Sequence, residues 1–273
     1  MKLSAEIVVG KSNTALSHAA SLREKKYRRR FGTFLADGCK LLTEICASGA
    51  EILTVWLDAD RAKSLYPFLR ESERQTGREL SVRLVSPALF PRLTEEGGSE
   101  GIVTEAAFPP QWRTAVHSDP GENERCLMLC GLQDPGNLGA VARSALAFGV
   151  TRLLLTADCV DPASGKALRA SMGALLRLNI DTVTDPAGTL RALRAAGRRV
   201  YAAELRPGAV PLLSCALCAQ DVFLIGNEGH GISPALSAEA DASVYIPISP
   251  QAESLNAAAA ATVLLWQQSL SKN

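Results

Sequence analysis

The second half of the chain alternates short apolar runs with longer amphipathic segments. Six runs have the length of buried strands, and four segments have helical spacing. The predicted strands are Cys126–Cys130, Arg152–Leu155, Ile180–Val183, Val200–Ala203, Val222–Ile225 and Ser243–Ile246, and the predicted helices are Leu138–Phe148, Lys166–Leu176, Thr189–Ala196 and Ser254–Leu270. Buried strands that alternate with helices are typical of a parallel sheet. We therefore predict an α/β fold whose C-terminal, mostly parallel sheet carries helices on both faces.

The first half shows a weaker alternation of the same kind. Its predicted strands are Glu51–Leu57 and Ser81–Val85, and its predicted helices are Gly38–Ala47 and Arg61–Arg74. This pattern predicts a small α/β domain over residues 1–107. The stretch 108–124 (FPPQWRTAVHSDPGENE) is rich in Pro, Gly and charge, which is typical of a linker. Residues 125–273 would then form the second domain.

Composition limits the kinds of partner. The 29 Lys and Arg nearly balance the 28 Asp and Glu, so any binding of nucleic acid must depend on a local basic surface. No apolar run is long enough to span a bilayer, and the N-terminal residues lack the pattern of a signal peptide. We expect a cytoplasmic protein.

The seven cysteines do not predict a metal site or a disulfide framework. Their number is odd and they are scattered along the chain. The single CxxC, Cys215–Cys218, has no second pair to complete the four ligands of a structural zinc ion. Reduced cysteines that pack in the core are the better interpretation.

The first polar loop follows the predicted strand Cys126–Cys130. In the sequence LQDPGNLGAVARSALAFG, the DPG triplet predicts a turn and Asn137 is a good N-cap for the next helix. Arg143 follows about one and a half turns later, where a guanidinium can reach a phosphate or a ribose. A helix-start Arg in a surface salt bridge is an equally good interpretation of this segment alone.

The second and third polar loops also follow predicted strands. LIGNEGHGIS combines three glycines with a single charge, Glu228, but matches neither a Walker loop nor a dinucleotide fingerprint. IPISPQAESLN has two prolines and leads into an Ala-rich helix, with Ser254 as the expected N-cap and Asn256 in the first turn. That helix could form a dimer interface or lie in the core of its own domain.

Two further segments are candidates for RNA binding. Lys166 and Arg169 lie about one turn apart on a predicted helix, as either a phosphate grip or a solvated face. In REKKYRRR, six of eight residues are basic and Tyr27 could stack on a base. Because like charges at this density repel one another, we favour RNA over a solvated helix face. The basic residues are Arg23, Lys25, Lys26, Arg28, Arg29 and Arg30.

Together, DPGNLGAVARSALAFG, IGNEGHGI and IPISPQAESLN resemble, in this order, the three motifs of the SpoU (TrmH) family of RNA ribose methyltransferases. KALRASMGALLRL between the first two motifs also resembles the family, as does KKYRRRFGTFLADGCKLLTEICASGAEI in the family's small substrate-binding domain. The resemblance therefore covers nearly the whole chain. It implies a SPOUT catalytic domain with a C-terminal trefoil knot, S-adenosylmethionine (SAM) as cofactor, and a homodimer with its active site near the subunit interface. Composition alone would not predict a knot, because knots are nearly absent from folded proteins.

The resemblance also implies roles for individual residues. The implied catalytic residues are Asn137, Arg143, Glu228, Ser254 and Asn256, and the implied cofactor-binding positions are Leu224, Gly226, Ile246 and Leu255. The sequence departs from the family at four places. It has Asn227 where Ala is frequent, Ile248 where Met is frequent, Asp37 where Glu is frequent, and SLNAA where the final helix begins SLNVS. None of these changes removes a catalytic position.

These residue types suit methyl transfer to a ribose 2′-hydroxyl, whose weak acidity is the chemical difficulty. His230 lies among glycines and is a poor candidate for the base. Because arginine stays protonated, we expect Arg143 to orient the ribose and stabilise the developing alkoxide. We expect the substrate to be large-subunit (23S) rRNA. The alternatives are a tRNA 2′-O-methyltransferase and a non-catalytic RNA-binding or ribosome-assembly protein.

Overall fold

The computed structural model describes residues 1–95 and 99–271. The strands are β1 (Lys2–Val8), β2 (Thr33–Asp37), β3 (Ile52–Asp58), β4 (Ser81–Val85), β5 (Ile102–Ala107), β6 (Trp112–Ala115), β7 (Cys126–Leu129), β8 (Arg152–Thr156), β9 (Asn179–Val183), β10 (Val200–Ala203), β11 (Val210–Pro211), β12 (Val222–Ile225) and β13 (Ala242–Tyr245). The helices are α1 (Thr14–Ser21), α2 (Lys25–Phe31), α3 (Cys39–Ser48), α4 (Ala62–Thr76), α5 (Pro135–Ala147), α6 (Gly165–Ala170), α7 (Ala174–Arg177), α8 (Pro186–Ala195), α9 (Pro234–Ser237) and α10 (Ala257–Ser269).

The chain forms two compact units, and the first is not continuous in sequence. Unit 1 comprises Met1–Pro110 together with Asp161–Arg177, and unit 2 comprises the remainder. The sheet of unit 1 has the order β1-β4-β3-β5-β2. Strand β5 runs antiparallel to both of its neighbours, whereas β4 is parallel to β1 and β3. Helices α6 and α7, which lie between β8 and β9 in the sequence, therefore belong to the unit that contains the N-terminal residues.

Unit 2 contains an eight-stranded, all-parallel sheet of order β11-β13-β10-β12-β7-β8-β9-β6. Its central strands β7 and β12 are buried along their whole length. Helices flank the sheet, with α5 against α10 and α8 against α9. The predicted α/β class and parallel sheet are confirmed. The trefoil knot stays a prediction.

All six strands predicted in the second half are present, with bounds within about one residue of the prediction. The sequence patterns did not reveal the edge strands β6 and β11. Strand β6 lies inside the stretch that we predicted as a linker, and it pairs with β9. The helix predicted over Lys166–Leu176 is interrupted between α6 and α7, where Met172 has a φ of 51° and Gly173 a φ of 86°.

Two predicted helix caps are wrong. Asp134, not Asn137, caps α5, because its side chain accepts the backbone N–H of Asn137 and Pro135 follows as the first helical residue. Asn256, not Ser254, caps α10 by accepting the N–H groups of Ala258 and Ala259. Both corrections leave the side chains of Asn137 and Ser254 available for other contacts.

The cores of both units are apolar, and all seven cysteines are free thiols. Cys126 and Cys130 are buried in the core of unit 2, where burial raises the pKa of the Cys126 thiol to about 12. Within the described ranges, no group of three or more His, Cys, Asp or Glu side chains is placed to hold a metal ion. None of the helices described has the length and hydropathy needed to cross a membrane.

A buried ion pair connects the discontinuous parts of unit 1. The guanidinium of Arg28 donates to Asp161 at 2.7 Å, and also to the carbonyl oxygens of Leu22 and Arg23. Arg28 is 4% exposed and Asp161 is 7% exposed. The pair therefore fixes the start of the 161–177 segment against α2. Arg28 is thereby removed from the set of basic side chains that we predicted to contact RNA.

Removing one partner of this pair should destabilise the chain strongly. Asp161→Asn leaves the Arg28 charge buried without compensation, so we expect the free energy of unfolding to fall by about 3–5 kcal/mol. Urea denaturation measures the loss. The matched control is Glu71→Gln at the exposed Glu71–Arg74 pair, which should cost under about 1 kcal/mol. Equal losses in both variants would contradict the importance of the buried pair.

Candidate active site

The three polar loops of unit 2 meet at one edge of the sheet. They follow β7, β12 and β13, and the sheet order places these strands close together, with only β10 between β12 and β13. Because all strands are parallel, their carboxyl ends lie at the same edge, where ligands bind in open α/β sheets. The loops are 130–134, 226–233 and 246–256.

A chain of hydrogen bonds joins one residue from each loop region. Asn256 Nδ2 donates to Asn137 Oδ1 at 2.9 Å, and Asn137 Nδ2 donates to Glu228 Oε1 at 2.8 Å. The direction of the chain is determined at both ends. Asn256 must use its amide oxygen to cap α10, and Glu228 as a carboxylate can only accept. Both amide groups therefore have one defined orientation.

The hydrogen bonds at Glu228 favour its ionised form. Burial by itself would raise the pKa of this carboxyl group. The side chain of Asn137 and the backbone N–H groups of Glu228, Gln133 and Asp134 oppose that effect, and they hold the pKa below its ordinary value. The site therefore presents a fixed negative charge at the end of the hydrogen-bond chain.

Close backbone contacts shape the second loop. A Cβ at Gly226 would lie 2.3 Å from the carbonyl carbon of Gly231, so no side chain fits at position 226. Asn227 and Gly231 form an antiparallel bridge, and Asn227 Nδ2 donates to the carbonyl of Gly131 at 2.7 Å. The departure from the family at Asn227 thus ties the second loop to the first, next to Glu228.

Arg143 is exposed on α5, one and a half turns after Asn137. Within residues 1–95 and 99–271 it has no ion-pair or hydrogen-bond partner, so the surface salt bridge considered above does not form. Helix α5 is held against α10 by a 2.6 Å hydrogen bond between the hydroxyl groups of Ser144 and Thr262. The guanidinium is therefore free on a helix whose position is fixed.

A cavity of about 450 Å³ lies beside the third loop. Its lining includes Ile246, Ser254 and Leu255, three of the positions implied by the family resemblance. Leu224 and Gly226 do not line it, and Leu224 is fully buried within β12. The volume lies in the usual range for small-molecule sites, and the walls are mainly apolar.

Two carboxylates at this cavity, Glu204 and Glu253, were not predicted from the sequence. Glu204 directly follows β10, and its Oε1 accepts hydrogen bonds from the hydroxyl groups of Ser237 and Ser243. Its position after a parallel strand is the signal that could have identified it. Apolar walls bordered by carboxylates suit a cofactor with an aromatic base and a positive sulfonium.

The basic residues predicted to bind RNA lie in unit 1 and differ in accessibility. Arg23, Lys26, Arg29, Arg30 and Lys166 are exposed, and Lys25 is partly buried. Arg169 forms an ion pair with Glu95 at 2.9 Å. With Arg28 buried, the exposed members of the cluster are the ones whose charge can face a phosphate.

The fold and the edge site define the class: a parallel α/β protein that binds a nucleotide-like cofactor next to a polar reaction centre. The SpoU rRNA methylase family matches residues 124–266, and an MRM3-like substrate-binding domain matches residues 13–104. The chain belongs to the SpoU rRNA methylase family, and it is an RNA methyltransferase that uses SAM.

Individual relatives agree with this assignment. The chain is 31% identical to the 23S rRNA (guanosine(2553)-2′-O)-methyltransferase RlmP of Bacillus subtilis, over 90% of this chain and 92% of that one. It is similar to the SpoU methyltransferase AviRb from Streptomyces viridochromogenes in complex with AdoMet, with a TM-score of 0.81, 26% identity and coverage of 94% and 97%. An AdoMet-bound rRNA methyltransferase from Sinorhizobium meliloti gives a TM-score of 0.78, 27% identity and coverage of 96% and 97%.

The lowered pKa of Glu228 has a measurable consequence. A lowered folded-state pKa stabilises the fold above the unfolded value of about 4.5, and this contribution is lost as pH falls through the folded-state pKa. The difference in unfolding free energy between the wild type and Glu228→Gln should therefore be constant above that value and shrink below it. In an Asn137→Ala background the total decline should be smaller and should end at a higher pH, because the folded-state pKa of Glu228 then lies closer to the unfolded value. If the difference in unfolding free energy grew on acidification, the hydrogen bonds would not be stabilising the ionised form of Glu228.

Proposed function

We propose that this chain transfers a methyl group from SAM to a ribose 2′-hydroxyl of 23S rRNA. The observation that carries this proposal is the Asn256–Asn137–Glu228 chain of hydrogen bonds, with the unpaired Arg143 on the same helix as Asn137. The family name and the B. subtilis relative support an rRNA substrate. A 23S rRNA substrate like that of the B. subtilis relative fits a cytoplasmic enzyme. Residues 1–107 would bind the RNA together with the segment 161–177 of the same unit, while the rest of residues 125–273 would catalyse the reaction.

SAM supplies a methyl group bound to a positively charged sulfur. The sulfur becomes neutral when the methyl group is transferred, so it is a good leaving group and needs no further activation. The cavity beside Ile246, Ser254 and Leu255 has the volume and the apolar walls to hold its adenosyl part. Glu253 supplies negative charge at the rim, whereas the charge of Glu204 is partly offset by Arg206, which lies 3.4 Å away. Gly226 contributes indirectly, because its lack of a side chain allows the second loop to fold back next to the first.

The residues of this chain provide the orientation that the nucleophile needs. Arg143 would hold the ribose and its adjoining phosphate and stabilise negative charge as it develops on the 2′-oxygen. Glu228 fixes Asn137, and Asn137 and Asn256 keep each other in one orientation. The Ser254 hydroxyl, which does not cap α10, is available to the substrate. Arg143 serves as an orienting cation because a guanidinium that stays protonated cannot accept the 2′-proton, which would pass to water as the oxygen–methyl bond forms and the sulfur–methyl bond breaks.

We further propose that the protein acts as a homodimer. Helix α10 buries Ala261, Leu264 and Leu265 within its own unit, yet Trp266 is 50% exposed and Leu270 is 59% exposed. A helix that is apolar all round is normally covered on every side. Leu146 of helix α5, which packs against α10, is also exposed. A second copy of the chain would cover these side chains.

Mapping of ribose methylation tests the substrate. Total RNA from cells with and without the gene should differ at a nucleotide of 23S rRNA, which is fully methylated only when the gene is present. A lost site in tRNA instead would favour the tRNA enzyme. If no site changes, and calorimetry detects no SAM binding with or without RNA, the chain is a non-catalytic RNA-binding protein.

Arg143→Lys tests the orienting role of the guanidinium. Lysine keeps the positive charge but loses the planar fork of donors. We expect kcat to fall about a hundredfold while the Kd for SAM stays unchanged. Arg191→Lys on the exposed surface of α8 is the matched control and should keep near-normal activity. Full activity of Arg143→Lys would exclude the role.

Trp266→Glu tests the homodimer. A buried, unpaired carboxylate at an apolar interface is strongly unfavourable, so the variant should be monomeric when its mass is measured by light scattering. Val116→Glu alters an apolar side chain that is 61% exposed and directly follows the edge strand β6, four strands away from β12 on which α10 packs, and should leave the mass at that of a dimer. A dimeric Trp266→Glu protein would argue for another interface.

A further inference from the structure

An exposed phenylalanine ends the basic helix α2. Phe31 is 41% exposed and lies one turn after Tyr27 on the same side of the helix. The two rings are nearly parallel, with an interplanar angle of 9° and centroids 6.2 Å apart. Tyr27 packs against the buried cluster that contains Leu16 and Trp56, so it contributes to folding. Phe31 is outside that cluster, and its burial contributes little to the fold.

A histidine from the neighbouring helix α1 supports the phenylalanine. The ring centroid of His18 is 4.5 Å from that of Phe31, with an interplanar angle of 59°. His18 Nε2 lies 3.4 Å from the buried carboxylate of Glu105, and this carboxylate also accepts a hydrogen bond from the indole of Trp56. His18 is therefore held from within unit 1, and it restricts the position of the Phe31 ring.

One cation lies against each of the two stacked rings. Arg30 Cζ lies 5.5 Å from the Phe31 centroid, and Lys26 Nζ lies 4.7 Å from the Tyr27 centroid. In the segment 23–31, Glu24 is the only acid, and it pairs with Lys26 at 2.9 Å. Arg23, Arg29 and Arg30 have no ion-pair partner among the described residues. The surface around Phe31 is thus strongly positive in a chain whose net charge is only +1.

We propose that Phe31, His18 and Tyr27 form an aromatic platform on which one unpaired base of the RNA substrate stacks. The ring of Phe31 provides the stacking face, and Arg29 and Arg30 bind the adjoining phosphates. This proposal rests on the proposed function, because it takes RNA as the substrate. Bases inside an RNA helix offer no free face, whereas bases in loops and bulges stack readily on aromatic rings and on guanidinium planes.

The charge of the surroundings favours RNA over an apolar protein segment as the occupant. A protein partner would have to desolvate three unpaired guanidinium groups to reach one phenylalanine, whereas the phosphates beside an unpaired base neutralise them. The aromatic platform also lies in the part of the chain that matches a substrate-binding domain. It therefore specifies the single-stranded element that the enzyme recognises, in addition to the general attraction of the basic cluster.

Two substitutions separate stacking from simple apolar contact. Phe31→Leu keeps an apolar side chain but removes the aromatic face, whereas Phe31→Tyr keeps the face. With rRNA purified from cells that lack the gene as substrate, we expect KM for RNA to rise about tenfold in Phe31→Leu, with kcat and the Kd for SAM unchanged. Phe31→Tyr should restore KM to within about twofold of the wild type. An unchanged KM in Phe31→Leu would overturn the proposal and would leave an apolar protein contact as the explanation.

A binding measurement checks the same point without catalysis. A short oligoribonucleotide that carries 2-aminopurine should lose fluorescence on binding to the wild type when it is single-stranded but not when it is paired with its complement. Phe31→Leu should abolish this quenching, whereas Arg70→Gln, which removes an exposed charge from α4, should keep it. Equal quenching by Phe31→Leu and the wild type would refute stacking on the aromatic platform.

The two proposals can fail separately. If the wild type methylates no rRNA, the proposed function is wrong, whatever the oligoribonucleotide shows. If the wild type is active and both Phe31 variants match it in KM and in quenching, only the aromatic platform is wrong. Because Phe31 is exposed, thermal unfolding of Phe31→Leu should match that of the wild type, and this measurement excludes misfolding as the cause of a raised KM.

Discussion

Parallel pairing of all eight strands is the constraint on which the site of unit 2 depends. Every parallel connection must return to the opposite edge before the next strand begins, so all carboxyl ends collect at one edge of the sheet. Loops separated by about a hundred residues are thereby brought within hydrogen-bonding distance. Asn137 and Asn256 are 119 positions apart, yet their side chains are in direct contact. No local feature of either loop would produce this contact without the sheet.

Helix capping converts that proximity into a defined geometry. Asp134 caps α5 and thereby frees Asn137 to contact Glu228, while Asn256 caps α10 with one side of its amide and reaches Asn137 with the other. The same side chain therefore stabilises a helix and sets the direction of a polar chain. Glu228 ends this chain of hydrogen bonds as the final acceptor. It stays ionised more readily than a carboxylate in an apolar cavity, because it accepts several N–H groups.

The sequence predicted the fold of the second half well, because its strands are short, apolar and separated by helices. It predicted the first half less well. Strand β5 contains Glu105, a buried carboxylate satisfied by Trp56, and such a residue conceals the apolar pattern of a core strand. In the basic cluster, counting charges could not reveal that Arg28 faces inwards, since its partner Asp161 is 133 positions away. The order of the motifs identified Asn137, Glu228 and Asn256 as candidates. Only the three-dimensional structure shows which asparagine side chain caps a helix and that Glu204 lines the cavity.

The discontinuity of unit 1 affects how such a chain can be recombined. Residues 161–177 lie between β8 and β9 in the sequence, but Arg28–Asp161, Arg169–Glu95 and Arg177–Glu44 tie them to residues 1–110. A graft that exchanged only the first hundred or so residues with those of a relative would therefore separate three charge pairs and leave the buried Asp161 without the guanidinium of Arg28. An intact exchangeable module consists of two segments of chain. If unit 1 determines which RNA is bound, we expect substitutions in residues 1–110 and in residues 161–177 to occur together during evolution.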